Sequence, residues 1–594
     1  MDAPPVTEGA RAIFTRGEGL RVAHGEAQGA LVGLDDSPRI ARPEPERRAH
    51  GRDHDAVDAA GRNLESGRNP EHVGSDAPLQ TNVTQTLIAK ANVGRVTVDR
   101  QRGLRRRIRG CVASVIVVGA GAGGLFGAGY LRRAGHDVVL LEAQPHIGGS
   151  ASRFSMGGYG FLAGATTLVG LEADMPLGIV MAELGLHHRA TPRAPAMTLW
   201  ARGAPLTLAT NDTETNAQRI GEQFGPTLGQ YWPSAIEEAR RAWRTIVALR
   251  YPPRGLGDLV RLAGSRHAWR SLPGAIATAE AALGAHGEFS AFERALLDEL
   301  LVISTQSHAD QTPALFGAIG LEYLQRPMWI APGGLGGFLD DVADQLRERG
   351  VDLRTRRRAL GVARTTHGYR VQTDDGPLDA EAVVLNLTHW DAARLCEGAL
   401  ADAFGRELRW HDKAWSAACL YVAVDDVLDR GRTPYHQIVL DRPLPVSGAR
   451  SIFATLSTPG DALFAPEGQR TITASIHLDP ARFAALEGER LAEEKRALEA
   501  EMYQALVAHF PELATTSPRL VRLATPSTWQ SFAGRWQGRV GGLPWNHRTL
   551  LLGYPTGRTR TATLARVGDT VFPGQSVVAV AWGARRVASQ LLEA

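Results

Sequence analysis

The chain has 594 residues, 44% hydrophobic and 22% charged, close to globular averages, which excludes wholesale disorder, collagen-like repeats and a polytopic membrane protein and leaves room for roughly four domains. Sixty-six Lys plus Arg against 63 Asp plus Glu leave a formal charge of +3, so charge demands no nucleic-acid partner. Three cysteines, Cys111, Cys396 and Cys419, form no CxxC pair and have no His at finger spacing, so neither a disulfide framework nor a metal site is expected and a reducing cytosol is the default compartment.

Residues 1–112 scatter Arg, Asp, Glu, Gly and Pro without a sustained apolar period, and read as a disordered extension or one that is not truly translated. The basic run QRGLRRRIRG (101–110) precedes about twenty uncharged residues in the manner of a signal anchor. Ordered glycines and the short β-branched run Val115 to Val118 instead predict a buried parallel strand, a turn and a helix over Gly124 to Ala134. The turn carries GxGxxG at Gly119, Gly121 and Gly124. Gly119 permits a tight turn, Gly121 lets the backbone approach a pyrophosphate, and Gly124 lets helix pack on strand, while the helix start favours phosphate charge. A second strand, Asp137 to Leu141, ends in Glu142, eighteen residues beyond Gly124, where an acid meets adenosine ribose hydroxyls and repels a 2′-phosphate. FAD and NAD both remain compatible with these residues.

Gly148-Gly149 follows six residues later as a second small-residue turn. Glu142 with AQPHIGGSASRF resembles the flavin amine oxidase superfamily, and the Ser150-Ala151 that follows the double glycine is similar to its carotenoid (phytoene) desaturase and carotenoid isomerase branch. The resemblance implies FAD. It runs from Ser114 to the end, although Phe161-Leu162-Ala163-Gly164 lacks the acid of the Phe-Asp-x-Gly that often follows in the family.

Two amphipathic stretches, Phe289 to Ile303 with Phe289, Phe292, Leu296, Leu297, Leu300 and Leu301 on one side, and Leu491 to Phe510 with Leu498, Met502, Leu506 and Phe510, read as core helices or as walls of an apolar tunnel. Between them, Pro332-Gly333-Gly334-Leu335 opens a helix with Leu335, Phe338, Leu339, Val342 and Leu346 at helical spacing, and the resemblance implies that Ala359 then touches adenine through its backbone. YRVQTDDG and LDAEAVVLN read as a hairpin arm and a returning buried strand, with Asp374-Asp375-Gly376 as the turn. The terminal RVGDTVFPGQSVVAVAWGARRVASQLL resembles the FAD-contacting segment of bacterial phytoene desaturases, implying that Asp569, after Gly568, meets the ribityl chain and that Pro573-Gly574 and a helix from about Val577 close over the flavin.

The expected fold is α/β: a discontinuous Rossmann-like FAD-binding domain with a parallel central sheet (113–190, 326–400 and 546–594) and a mixed α+β substrate domain (191–325, mostly helical, and 401–545). The expected cofactor-binding residues are Gly119, Ala120, Gly121, Gly124, Glu142, Ala143, Gly148, Gly149, Ser150, Ala359, Gly568, Asp569, Pro573, Gly574 and Val577, with no metal. No catalytic residue announces itself, since His308 and His389 read as ordinary surface or core histidines. The resemblance implies hydride transfer between flavin N5 and an allylic carbon of a carotenoid or other polyisoprenoid, in desaturation, saturation or isomerisation. An amine oxidase and a non-catalytic dinucleotide-binding escort are the alternatives. A hydrophobic polyene substrate, no nucleic acid, and a cytoplasmic location with peripheral contact at the inner membrane face complete the expectation.

Overall fold

The computed structural model describes residues 113–594 except 249–255, 409–413, 553, 560, 562 and 593–594; the expected extension 1–112 and Cys111 lie outside the described residues. Strand β1 (Ser114–Val118), helix α1 (Ala122–Arg133) and strand β2 (Asp137–Leu141) form the first βαβ-type unit. β1 sits at the centre of a five-stranded parallel sheet in the order Leu564–Arg566, Ala382–Leu385, β1, β2, Asp352–Arg354. Both of its faces are covered, which explains a continuous rather than alternating apolar run. Val115 and Val117 belong to the core beneath α1 and the helices Gly334–Glu348 and Val577–Leu592. Ile116 and Val118 pack on the other side, against Val362, Tyr369 and Val371 of a three-stranded antiparallel sheet.

The stretch LDAEAVVLN divides. Gly376–Ala380 completes the hairpin with Tyr369–Thr373, and only Ala382–Leu385 enters the central sheet. Helix α1 starts two residues earlier than its pattern suggested, at Ala122, because the turn is complete at Gly121. The helix expected from Phe289 starts at Ala291, where Ser290 and Glu293 form a reciprocal capping box that fixes the boundary. Leu296, Leu297, Leu300 and Leu301 are buried as expected, and Phe289 and Phe292 pack half-buried on the same core.

A second sheet has seven strands in the order Leu520–Ala524, Ser416–Asp425, Gln469–Leu478, Ser451–Leu456, Tyr435–Val439, Met197–Ala201, Ala204–Thr207. Its pairs are antiparallel except Tyr435–Val439 with Met197–Ala201. Strand alternation gives it two unlike faces. Leu420, Val422, Ile472 and Ile476 bury one face under the helix Gly488–His509 through Leu498, Met502 and Leu506. Cys419, Tyr421, Ser475 and His477 turn the other towards a cavity. The region 191–325 is therefore helical only from Thr213 onwards: Met197–Ala201 is recruited into this sheet by pairing with Tyr435–Val439, more than two hundred positions away, and Ala204–Thr207 follows as its local antiparallel partner. Among the described residues no helix is long and apolar enough to cross a membrane.

Both described cysteines are free and buried. Burial pushes the Cys396 and Cys419 thiols up to about 12. About one thiol in ten thousand is then ionised at pH 8, so neither should react with a thiolate-selective reagent in the native protein. Peptide mapping after labelling checks this: modification of either residue is expected only once the protein is unfolded.

Candidate functional site

A cavity of about 1130 Å³ runs from the carboxyl ends of β1 and β2 to the second sheet. That exceeds the roughly 300–1,000 Å³ of ordinary small-molecule pockets and leaves room for more than one ligand. One end is lined by backbone. Gly119 (φ +96°), Gly121, Gly148 (φ +105°), Gly149 and Ser150 form a double turn in which the Gly148 N–H donates to the Ala120 carbonyl at 2.9 Å. A Cβ on Gly121 would stand 2.9 Å from Asn386 Nδ2, so any side chain here would push that amide from its place beside the cradle. The start of the twelve-residue α1 faces the same space, and the Ser150 hydroxyl is buried there without a protein hydrogen-bond partner. Free N–H groups at a helix start and an unpaired hydroxyl suit a phosphate.

Glu142, 8% exposed, ends β2 beside this cradle. Its Oε2 accepts the Ala120 N–H and its Oε1 the Gln144 N–H, each at 2.9 Å. Burial raises its carboxyl above the usual range, against the lowering influence of those N–H donors and of Arg358. Ala143 and Ala359 line the same end, Ala359 as the first residue of the strand Ala359–Arg364. Gly568, Asp569, Pro573 and Val577 line the middle, where Asp569 Oδ2 accepts from Arg535 at 2.5 Å. Ala120, Gly124 and Gly574 stand behind the wall instead. Ala120 holds Glu142, Gly124 lies against the Gly119 carbonyl, and Gly574 packs by Tyr554 and Trp545. The residues present thus fit a dinucleotide with an unphosphorylated ribose.

A raised Glu142 carboxyl has opposite consequences with and without a ligand. Protonation removes an acceptor, so affinity for a dinucleotide held at this end should fall as pH drops through the raised value, beginning above the ordinary carboxylate range. In the cofactor-free protein the folded state holds this proton more tightly than the unfolded chain does, so Glu142 makes the fold more stable as pH falls through the same value. Glu142→Gln should bind such a dinucleotide about tenfold more weakly at pH 7 and lose this acid dependence. Flavin fluorescence titrations between pH 5 and 8 measure both.

Sequence reasoning missed several wall residues. Asn386, at the end of the strand Ala382–Leu385, donates from Nδ2 to the Gly119 carbonyl at 3.1 Å and so ties the glycine turn to the neighbouring strand. Its only signal was a polar side chain closing an apolar run. At the far end the walls are mainly apolar, with Ile246, Phe316, Tyr421, Phe453 and Trp529, and include a polar group of Gln306, His477 and Gln575. His389 is fully buried and His308 is exposed, and neither reaches the cavity.

The model of the family described as flavin containing amine oxidoreductase matches residues 122–437. A chloroplastic prolycopene isomerase of Arabidopsis thaliana is 25% identical over 534 residues, covering 84% of this chain and 86% of that protein. A carotenoid 3,4-desaturase of Haloarcula japonica is 24% identical over 389 residues, covering 62% of this chain and 76% of the relative. Among solved structures, an oxidoreductase from Methanosarcina mazei aligns with a TM-score of 0.55 at 17% identity, covering 80% of this chain and 100% of its own. A putrescine oxidase variant aligns with a TM-score of 0.56 at 16% identity, covering 81% and 99%. At these identities the structural likenesses speak for the fold.

Proposed function

Because the chain belongs to the flavin containing amine oxidoreductase family, we propose that it binds FAD and acts on an allylic carbon of a carotenoid or other polyisoprenoid. It is a flavin-dependent oxidoreductase; the identity of the flavin as FAD and of the substrate as a polyene is our reading. The observation that carries it is a glycine cradle with a carboxylate at one end of a cavity whose other end is mainly apolar, in a chain similar over most of its length to a prolycopene isomerase.

In this reading the stretches 113–190, 326–400 and 546–594 hold the cofactor, and 191–325 and 401–545 enclose the substrate. The turns around Gly119–Gly124 and Gly148–Ser150 receive the pyrophosphate, Glu142 and the Ala359 backbone the adenosine, and Asp569 the ribityl chain, with Pro573–Val577 closing the site. A bound flavin supplies the hydride acceptor or donor. The chain supplies orientation and a dry wall: Phe316, Tyr421, Phe453 and Trp529 present ring surface to an extended apolar molecule and exclude water from it. A polyene partitions into lipid, so the reading includes peripheral contact with the inner face of a membrane from the cytoplasm.

Visible absorbance of the purified protein, followed by heat release and identification of the cofactor, tests the first half of the proposal. Flavin bands with FAD in the supernatant are expected. A colourless protein that takes up no added FAD would refute it.

A further inference from the structure

Gln306 ends the helix Ala291–Thr305 in a left-handed conformation (φ 60°) and is 3% exposed. Its place is built from several sides. The Trp415 indole N–H donates to its backbone carbonyl at 3.0 Å. A Cβ on Gly541 (φ +79°) would fall 2.6 Å from its amide, so the loop that covers it needs glycine there. The orientation of that amide follows from its neighbour. Gln575 Nε2 donates to the Ile303 carbonyl at 2.8 Å, which leaves Gln575 Oε1 as an acceptor, and Gln306 Nε2 donates to it at 3.2 Å. The same Nε2 also donates to the Val302 carbonyl at 3.3 Å and stands 3.4 Å from His477 Nε2, on the strand Gln469–Leu478, whose cavity-facing positions include His477.

An amide nitrogen accepts no hydrogen bond, so a proton on His477 Nε2 would face Gln306 Nε2 with no acceptor. The chain Ile303–Gln575–Gln306 therefore selects the His477 tautomer with its proton on Nδ1. Burial holds this imidazole at a pKa of about 4, so it is neutral at physiological pH. The result is a neutral N–H donor on His477, a residue of the mainly apolar cavity wall, held in one tautomer by Gln306 and Gln575. A neutral donor in a place shielded from water favours an acceptor oxygen and offers nothing to a bare hydrocarbon.

We infer that His477 Nδ1–H is a recognition group for a carbonyl or hydroxyl oxygen of a molecule in the cavity, oriented for that task by Gln306 and Gln575 as positioning residues. The inference rests on the cavity holding flavin and polyene. The oxygen belongs either to a flavin carbonyl or to an oxygenated end of the substrate, and the two sources predict different losses.

The test uses the FAD-loaded protein, His477→Phe, which removes the donor, and Gln306→Leu, which frees the tautomer. FAD dissociation and the flavin absorption bands are measured first, then the binding of lycopene and of its monohydroxylated counterpart rhodopin by quenching of tryptophan fluorescence. If the partner is the flavin, both variants bind FAD about tenfold more weakly or shift its bands, and the two polyenes are affected alike. If the partner is the substrate, FAD binding is unchanged, and an approximately tenfold wild-type preference for rhodopin disappears in both variants. Unchanged FAD binding, unchanged bands and no change in polyene preference in folded His477→Phe would overturn the inference. A wild-type protein that takes up FAD but neither polyene refutes the polyene reading and leaves the flavin arm to decide this one; a wild type that takes up neither refutes both.

Discussion

Gly124→Val should purify colourless and take up added FAD at least about a hundredfold more weakly than the wild type. A Cβ at position 124 would stand 2.0 Å from the Gly119 carbonyl oxygen, far inside any tolerated contact. That oxygen cannot simply retreat. It accepts from Asn386 Nδ2 at 3.1 Å, and the N–H of the same residue is tied to the Leu141 carbonyl at 2.8 Å. The start of α1 must then move off the turn, separating the helix N–H groups from the glycine cradle that they complete. Overpacking of this kind costs about 1–3 kcal/mol of stability, so the variant should remain foldable while losing its ligand. Gly127→Ala is the control in the same helix, because a Cβ there meets nothing within 4 Å. It should keep the flavin and gain about 0.5–1 kcal/mol from the lower backbone entropy of alanine in a helix. The flavin-to-protein absorbance ratio and thermal unfolding measure both variants.

Asp569→Ala should weaken FAD by about 30- to 300-fold, the second largest effect expected. Its carboxylate has two tasks. One oxygen binds Arg535 at 2.5 Å, with both side chains 16% exposed on the cavity side, and we propose that the group also meets the ribityl chain. Removing it deletes that acceptor and leaves the Arg535 guanidinium without its paired carboxylate, held by the Arg539 carbonyl at 3.0 Å. The stability loss from the unpaired charge should be about 1–3 kcal/mol, less than for a fully buried pair because solvent reaches the site. The double variant Asp569→Ala/Arg535→Leu separates the two tasks. It should recover most of the stability and none of the affinity, a non-additivity expected for directly paired residues. Recovery of both would mean that Asp569 serves only to neutralise Arg535.

The glycine-and-acid end of the cavity was legible in sequence because its determinants are local. Strand, turn, helix and acid follow one another within 114–142, and each carries its own signal: β-branched residues, glycines where a Cβ has no room, and a carboxylate that caps the second strand. The opposite wall was not legible. Gln306, His477 and Gln575 are separated by 171 and 269 positions from Gln306 to each partner, and meet only because a helix end, a sheet strand and the approach to the last helix converge. Alternation in Gln469–Leu478 gives two faces, but nothing in the strand says which face meets a ligand and which meets the helix Gly488–His509. The parallel pairing of Tyr435–Val439 with Met197–Ala201 was hidden for the same reason. Periodicity defines an element and its faces, whereas the partner of each face is set by the rest of the chain.

The central claim is that this flavoprotein acts on polyenes and not on amines. The most direct test is product analysis by chromatography after anaerobic incubation of the FAD-loaded protein with phytoene in the oxidised state and with prolycopene in the reduced state, alongside peroxide release from primary and secondary amines in air. Conversion of at least one polyene, with no peroxide from amines, is the predicted result. Both polyenes recovered unchanged, with peroxide formed from an amine, would contradict it.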